Sequence, residues 1–237
     1  MARYKFSAFR AIDDKESCLR FIDGHRKLLE VYGITMITSN TPDWVYHENT
    51  YVILVESMPE RKVLGGARVQ LTDNNLELPL IEAVGKRDGR VYDLFFNANC
   101  KTAELCGLWN SKALAMNGIG SLYLGWTGIT VARILGVDKL HALCAPATVR
   151  YCLRLGFTIQ ESVGKKGEFN YPKENMIATV MTVEDVKNLP TSENDIRNTI
   201  ISLTDNPTQS IEYHTKLGKV LIDYNLNIKH ETISQFS

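Results

Sequence analysis

The sequence predicts an α/β protein, with one domain over residues 1–183 and a helical extension over residues 184–237. Three observations predict it. Residues 103–157 pass from an apolar, strand-like run through Gly118 and Gly120 into a helix-length apolar segment, then a short strand and a second short helix closing at Gly156-Phe157. Residues 51–72 read as two strand-forming runs either side of a turn at Pro59. Residues 15–32 space their apolar side chains at a helical period.

Taken in order, residues 4–12 are a candidate first strand. The helix at 15–32 carries Leu19, Ile22, Leu28, Leu29 and Val31, and Gly33 stops it. Residues 38–42 have turn chemistry. Residues 51–56 are β-branched and aromatic, hence strand. Residues 63–72 alternate as the hairpin partner, closed by Asp73-Asn74-Asn75. Residues 76–85 form a short apolar piece punctuated by Pro79 and Gly85. Residues 91–96 and 103–115 are strand candidates, the second with a short helical start as the alternative. A helix at 122–135, a strand at 140–145 and a helix at 147–157 follow. Strands at 158–162 and 176–183 close the domain around a loop at 164–174. Beyond Val183 the chain becomes polar and rich in Asn, Thr and Ser. Helices are expected there at 193–203 and 209–224, with Pro190 and Pro207 bracketing the first. So few large apolar groups would make a poor separate core, so this part reads as an extension.

Composition narrows the function. With 44% hydrophobic and 23% charged residues the chain is an ordinary globular protein. Its 27 basic and 27 acidic residues cancel, so no global charge draws it to nucleic acid or an anionic membrane. The start, MARYKFSAFRAIDDKE, lacks a long apolar core and a cleavage site, and no run approaches the roughly 18 apolar residues of a membrane span. A cytoplasmic location is the expectation. Five cysteines without C-x-x-C spacing and five scattered histidines argue against a disulfide scaffold or a metal site.

Gly118-Ile119-Gly120-Ser121 precedes a helix, and glycines there leave backbone N–H groups open to an anion at the positive end of the helix dipole. The same four residues also read as a tight turn between core elements. Gly125 and Gly128 cost the next helix about 1 kcal/mol each against Ala, which points to close backbone packing. Glu104 on an inner strand can take a proton from an attacking amine, and burial would raise its pKa; the alternatives are a solvent-facing Glu or one paired with Arg68 or Arg26. Arg26 and Arg68 can grip a carboxylate or phosphate in bidentate fashion, or make surface ion pairs. Cys152, a thiol of ordinary pKa about 8.5, is a proton donor or a packing residue. Tyr151 lies about 100° round the helix from it. The Asp93-Leu-Phe-Phe run is either core or an outer wall.

These motifs together resemble the GNAT acyltransferases. The order strand, glycine turn, helix, strand, helix, L-G-F is similar to their acyl-CoA-binding half, with Ala115 at the first position of Q/R-x-x-G-x-G/A. The run 152–157 is similar to Y-x-K-x-G-F, with Cys152 at the tyrosine. A second resemblance, over roughly residues 15–160, is to the acyl-homoserine-lactone synthases and N-acyl amino acid synthases. His25 to Ile34 is similar to R-x-x-V-F-x-x-x-x-G-W, with Arg26 on the arginine. Residues 51–55 and 65–72 are similar to Y-L-V and G-C-A-R-L-L-P-T, with Arg68 on the arginine. Residues 103–110 are similar to W-E-L-S-R-F-A-V, with Glu104 on the glutamate, Cys106 at the serine and Gly107 at the arginine. The paired aspartates of that branch have no aligned counterpart, Asp43 being out of step, so a lactone product is not implied.

The resemblance implies a mixed, mainly antiparallel sheet with helices on both faces, splayed between the strand at Ala103 and the strand at Leu140. It implies acyl transfer to the amine of a small molecule from an acyl-CoA, an acetyl-CoA or an acyl carrier protein, without metal. Glu104 would be the base and Cys152 the acid toward the leaving thiolate. The N–H near Leu108 would polarise the thioester, the pantetheine arm would pair with residues 109–116, and Gly118, Ile119, Gly120 and Ser121 would hold the phosphates. Arg26 and Arg68 would bind substrate. A homodimer is a further expectation, and a generic acetyltransferase or a non-catalytic acyl-thioester-binding module is the alternative.

Overall fold

The computed structural model describes residues 1–31, 33, 42–73, 77–96 and 99–228. Its frame is one twisted sheet. The strands are β1 (Ala2–Arg10), β2 (Thr50–Ser57), β3 (Val63–Leu71), β4 (Thr102–Asn110), β5 (Lys139–Cys144), β6 (Thr158–Ile159), β7 (Glu168–Asn170), β8 (Ile177–Val183), β9 (Thr208–Thr215) and β10 (Gly218–Asn225). Their order is β6-β8-β5-β4-β3-β2-β1-β10-β9, with β7 also on β8. The β1–β10 and β4–β5 pairs are parallel, and the other pairs are antiparallel.

The middle of the sheet is covered on both faces, and β2 shows why its sequence, TYVILVES, is apolar throughout. Val52 and Leu54 pack with Cys18, Phe21, Trp44 and Trp109 under α1 (Lys15–Val31). Tyr51, Ile53 and Val55 point the other way, into the main core with Leu124, Ile129 and Val131 of α4 (Ser121–Ile134). Side chains alternate between faces along a strand, so two helices need two apolar sets. Close approach is built in with glycine. A Cβ on Gly66 would lie 2.5 Å from the Ile53 carbonyl oxygen and 2.7 Å from the Phe21 ring. The expected reason for Gly125 and Gly128 also holds: a Cβ would meet Leu155 at 2.3 Å and Leu105 at 2.5 Å.

Two short helices, α2 (Arg90–Asp93) and α3 (Lys112–Ala115), correct the sequence reading. Residues 91–96, expected as a strand, form α2 and a turn. Phe95 is buried with Leu78, Ile81, Val163 and Phe169, the core reading of that run. The strand expected at 103–115 ends at Asn110, because the Ser111 side chain accepts the Leu114 N–H and caps α3. Residues 79–85, Pro79 included, turn helically, with a π-type turn at Ile81–Gly85.

At the other end of the domain, α5 (Pro146–Leu155) ends on left-handed Gly156, φ 97°, with the Phe157 N–H returning to the Cys152 carbonyl. The strand expected at 158–162 shrinks to Thr158–Ile159, and the loop at 164–174 contains β7.

The largest correction concerns the C-terminal segment. One expected helix is present as α6 (Asn194–Asp205). The other, at 209–224, is instead the β9–β10 hairpin, which extends the sheet beyond β1. Val220, Ile222 and Tyr224 are buried at alternate positions, a strand period, in the same core as Ile196, Ile200 and Leu203 of α6. Tyr32, Ile34, Asn74, Asn75 and Leu76, and the turn residues 38–41, lie outside the described residues.

Candidate active site

Two local features open the sheet. β4 and β5 pair only from Thr102 to Glu104 against Lys139 to His141. Beyond that point the strands part, and the rest of β4 presents backbone on the side facing the gap. The second feature is a β-bulge. Gly66 and Arg68 of β3 stand opposite Trp109 and Cys106, so β4 uses an extra residue, and Gly107 takes φ 57° there. Glycine is needed twice over, since a Cβ on Gly107 would come 3.2 Å from the Arg68 Nε.

The gap is a cavity of about 570 Å³. Glu104, Leu105, Cys106, Gly107 and Leu108 of β4 line one side, and Ala142, Leu143, Cys144 and α5 residues Tyr151, Cys152 and Leu155 the other. His25 and Leu29 of α1, Ser121 of α4, and Tyr171, Pro172 and Asn175–Ala178 also line it.

Glu104 is 2% exposed. Desolvation pushes its carboxyl up to about 7, against the opposing pull of the Leu80 N–H, 2.9 Å from Oε2, and of the more distant Arg68 charge. A carboxyl that titrates near neutrality, inside a mostly apolar cavity, is suited to accept a proton.

Arg68 is fully buried on β3, behind the bulge, its guanidinium 4.3 Å from the Trp44 ring centroid. Phe21, Trp44, Trp109 and His25 pack edge to face or stacked around it. The guanidinium hydrogen-bonds Cys106, whose thiol burial nevertheless pushes up to about 12. Arg68 therefore acts on the cavity through the bulge and through its charge. Arg26 is not brought there: it is 60% exposed and pairs with Asp23 and Glu30 along α1. Its neighbour His25 lines the cavity instead. Burial, reinforced by Arg68, lowers the His25 pKa to about 4, so the imidazole is neutral.

The glycine turn divides between its two readings. At Gly118, φ 75°, a Cβ would meet Thr215 of the hairpin at 2.6 Å, and Ile119 is fully buried; both are packing positions. Gly120 is the N-cap of α4, with open space where a Cβ would stand. Ser121 reaches the cavity and donates to the Asn110 Oδ1 at 3.2 Å, tying the helix N-terminus to the end of β4. Ala115 lies exposed on α3.

Cys152 does face the cavity, with its sulfur 3.4 Å from that of Cys144. The two thiols share a hydrogen bond, and the contact lowers the Cys152 pKa and raises that of Cys144. Tyr151 also lines the cavity, which follows α5 from Pro146 to Leu155 and is wide enough to take residues about 100° apart. Its hydroxyl accepts from the Arg150 guanidinium at 2.7 Å.

A mixed sheet parted beside a bulged β4, with a helix N-terminus opening into the gap, is the GNAT acyltransferase fold. Within it, the chain is similar to FeeM, an N-acyl amino acid synthase from uncultured soil microbes, at 15% identity and a TM-score of 0.62, over 84% of this chain and 99% of that one. It is similar to BjaI, a CoA-dependent acyl-homoserine lactone synthase solved with SAM and isopentyl-CoA, at 15% identity and a TM-score of 0.52, over 96% of both chains. TofI, solved with an inhibitor and MTA, matches at 10% identity and a TM-score of 0.54, over 81% of this chain and 99% of that one. No family profile and no curated sequence matches the chain.

Proposed function

We propose that this protein is an N-acyltransferase that moves an acyl group from an acyl thioester to the amine of a small molecule. The observation that carries the reading is Glu104: a buried carboxyl, held near neutral pKa, in the wall of the cavity where the sheet parts. Thioester aminolysis needs a neutral amine, and a carboxylate in that position supplies it.

The thioester lies in the gap. Its pantetheine arm pairs with the free edge of β4 at residues 105–110, not with 109–116, since the strand ends at Asn110. The Leu108 N–H at the bulge faces the thioester carbonyl and stabilises charge building on its oxygen. The phosphates meet the N-terminus of α4 at Gly120 and Ser121, where backbone N–H groups favour an anion. Glu104 takes the proton of the attacking amine. The leaving thiolate is protonated by Cys152. The donor is an acyl-CoA or an acyl carrier protein; the isopentyl-CoA held by the similarly folded BjaI supports the first. Neutral His25 borders the acceptor's side of the cavity, with the Arg68 charge behind the bulge.

The test is Glu104→Gln, which preserves an acceptor for the Leu80 N–H. Amine-dependent CoA release should fall by about 10²–10⁴-fold while donor binding survives. In the wild type the rate should rise with pH through about 7, as the Glu104 carboxyl ionises, and the variant should lose that limb. Unchanged turnover in the variant would remove Glu104 as base and the reading with it.

A further inference from the structure

Two thiols stand side by side in the cavity wall, where acyl transfer needs only one proton donor. Cys144 is the last residue of β5, and Cys152 lies in the second turn of α5. The strand and the helix are joined through Ala145, so the two sulfurs are held 3.4 Å apart by adjoining elements. A disulfide needs about 2.05 Å between sulfurs, so closing the bond draws the two side chains together.

We propose that Cys144 and Cys152 form an oxidisable dithiol, closed to an intramolecular disulfide by a peroxide small enough to enter the cavity. The step balances. The Cys152 thiolate attacks one peroxide oxygen and expels hydroxide, which leaves as water after taking a proton, and Cys152 becomes a sulfenic acid. The Cys144 sulfur then attacks the Cys152 sulfur, and the sulfenic oxygen departs as a second water with the Cys144 proton. Two thiols lose two electrons and one peroxide gains them.

Geometry selects this pair over the other three cysteines. Cys18 and Cys106 are buried, and burial holds both thiols up at about 12, with little thiolate to react. Cys100 is partly exposed, with its pKa raised by burial and by nearby Asp138. Cys152 is partly exposed, lines the cavity and shares a hydrogen bond with its partner. The disulfide removes the Cys152 proton donor, so oxidation stops transfer where the chemistry proposed above holds; that consequence, unlike the disulfide itself, rests on the acyltransferase reading.

Peptide mapping by mass spectrometry, on full-length protein treated with equimolar hydrogen peroxide and then alkylated, tests the proposal. The expected product is one cross-linked species joining the peptides of Cys144 and Cys152, two hydrogens lighter than the reduced pair and reversed by dithiothreitol. CoA release should be lost on oxidation and return with the thiols. In Cys144→Ser the expected product is a dimedone adduct on Cys152, and an adduct on Cys100 instead would overturn the assignment. Full alkylation of both thiols in oxidised wild type, or a bridge to any other cysteine, would overturn it without recourse to a variant. A 144–152 bridge in a protein that never releases CoA would keep the dithiol and sink the acyltransferase reading.

Discussion

At Glu104 the fold holds a carboxyl away from water, and stability reads that out as well as rate. Its pKa is raised from 4.5 to about 7, so between those values the native state keeps a proton that the unfolded chain has released. The stabilising contribution is present below pH 4.5 and lost as pH rises through about 7. His25 and His141 run the other way. Burial lowers both to about 4, so their contribution is present above the ordinary 6.5 and lost as pH falls through 4. Subtracting the melting profile of Glu104→Gln from that of wild type isolates the carboxyl. The variant should gain relative stability as pH rises from 4.5 to 7, reaching about 3 kcal/mol, measured by chemical unfolding at several pH values. A flat difference would place Glu104 in contact with water. Glu104 was singled out in the sequence by its place on the glutamate of W-E-L-S-R-F-A-V and by the chemistry of a carboxylate on an inner strand. Arg26 was misplaced although the helix carried the answer: Cys18, Phe21 and His25 form its buried face, and Arg26 falls off that stripe. For the proton donor, Cys152→Ala should slow CoA release by about 10²-fold or more, whereas an undiminished rate would pass the role to Tyr151.

Among the elements, the β9–β10 hairpin packs against the glycine turn and the first turns of α4. Thr215 sits against Gly118. The Tyr224 hydroxyl accepts from Trp126 Nε1 at 3.3 Å and lies 3.1 Å from the Tyr213 hydroxyl, and Tyr123 packs edge-on to Tyr213. Tyr224→Phe leaves the buried Trp126 N–H without that acceptor and should cost about 1–3 kcal/mol, read as a lowered midpoint in denaturant. An unchanged midpoint would show that the aromatic cluster holds by packing alone. The hairpin was hidden in the sequence by its polar outer face: Gln209, Ser210, Glu212 and His214 share β9 with Ile211 and Tyr213. Alternating apolar side chains at Val220, Ile222 and Tyr224 were the available signal, where a second helix was expected. The turn before a helix at Gly118 to Ser121 was expected, and its division into packing and open positions required the three-dimensional neighbours.

Across the whole molecule, the same sheet that carries the cavity also carries the C-terminal hairpin, since β10 pairs in parallel with β1 from Ala2 to Ser7. Deleting residues 208–237 removes Val220, Ile222, Tyr224 and Leu226 from the main core and should leave a chain without a cooperative thermal transition; a sharp transition would show that the rest folds alone. The mixed sheet and its parting between the strand at Ala103 and the strand at Leu140 were expected from the family resemblance, carried mainly by residues 103–157, and the structure fixes the parting after Glu104. The size of the cavity was not legible, as residues distant in sequence, from His25 to Ala178, contribute its wall. Among the described residues no helix is long and apolar enough to cross a membrane. The central claim is that an acyl thioester occupies this cavity, and thermal stability with CoA, acetyl-CoA and longer acyl-CoAs tests it most directly, because a ligand of the native state raises the midpoint. The account predicts a rise with CoA that grows with acyl length as the chain fills the apolar cavity. No rise with any of them, nor with an acyl carrier protein, would contradict it.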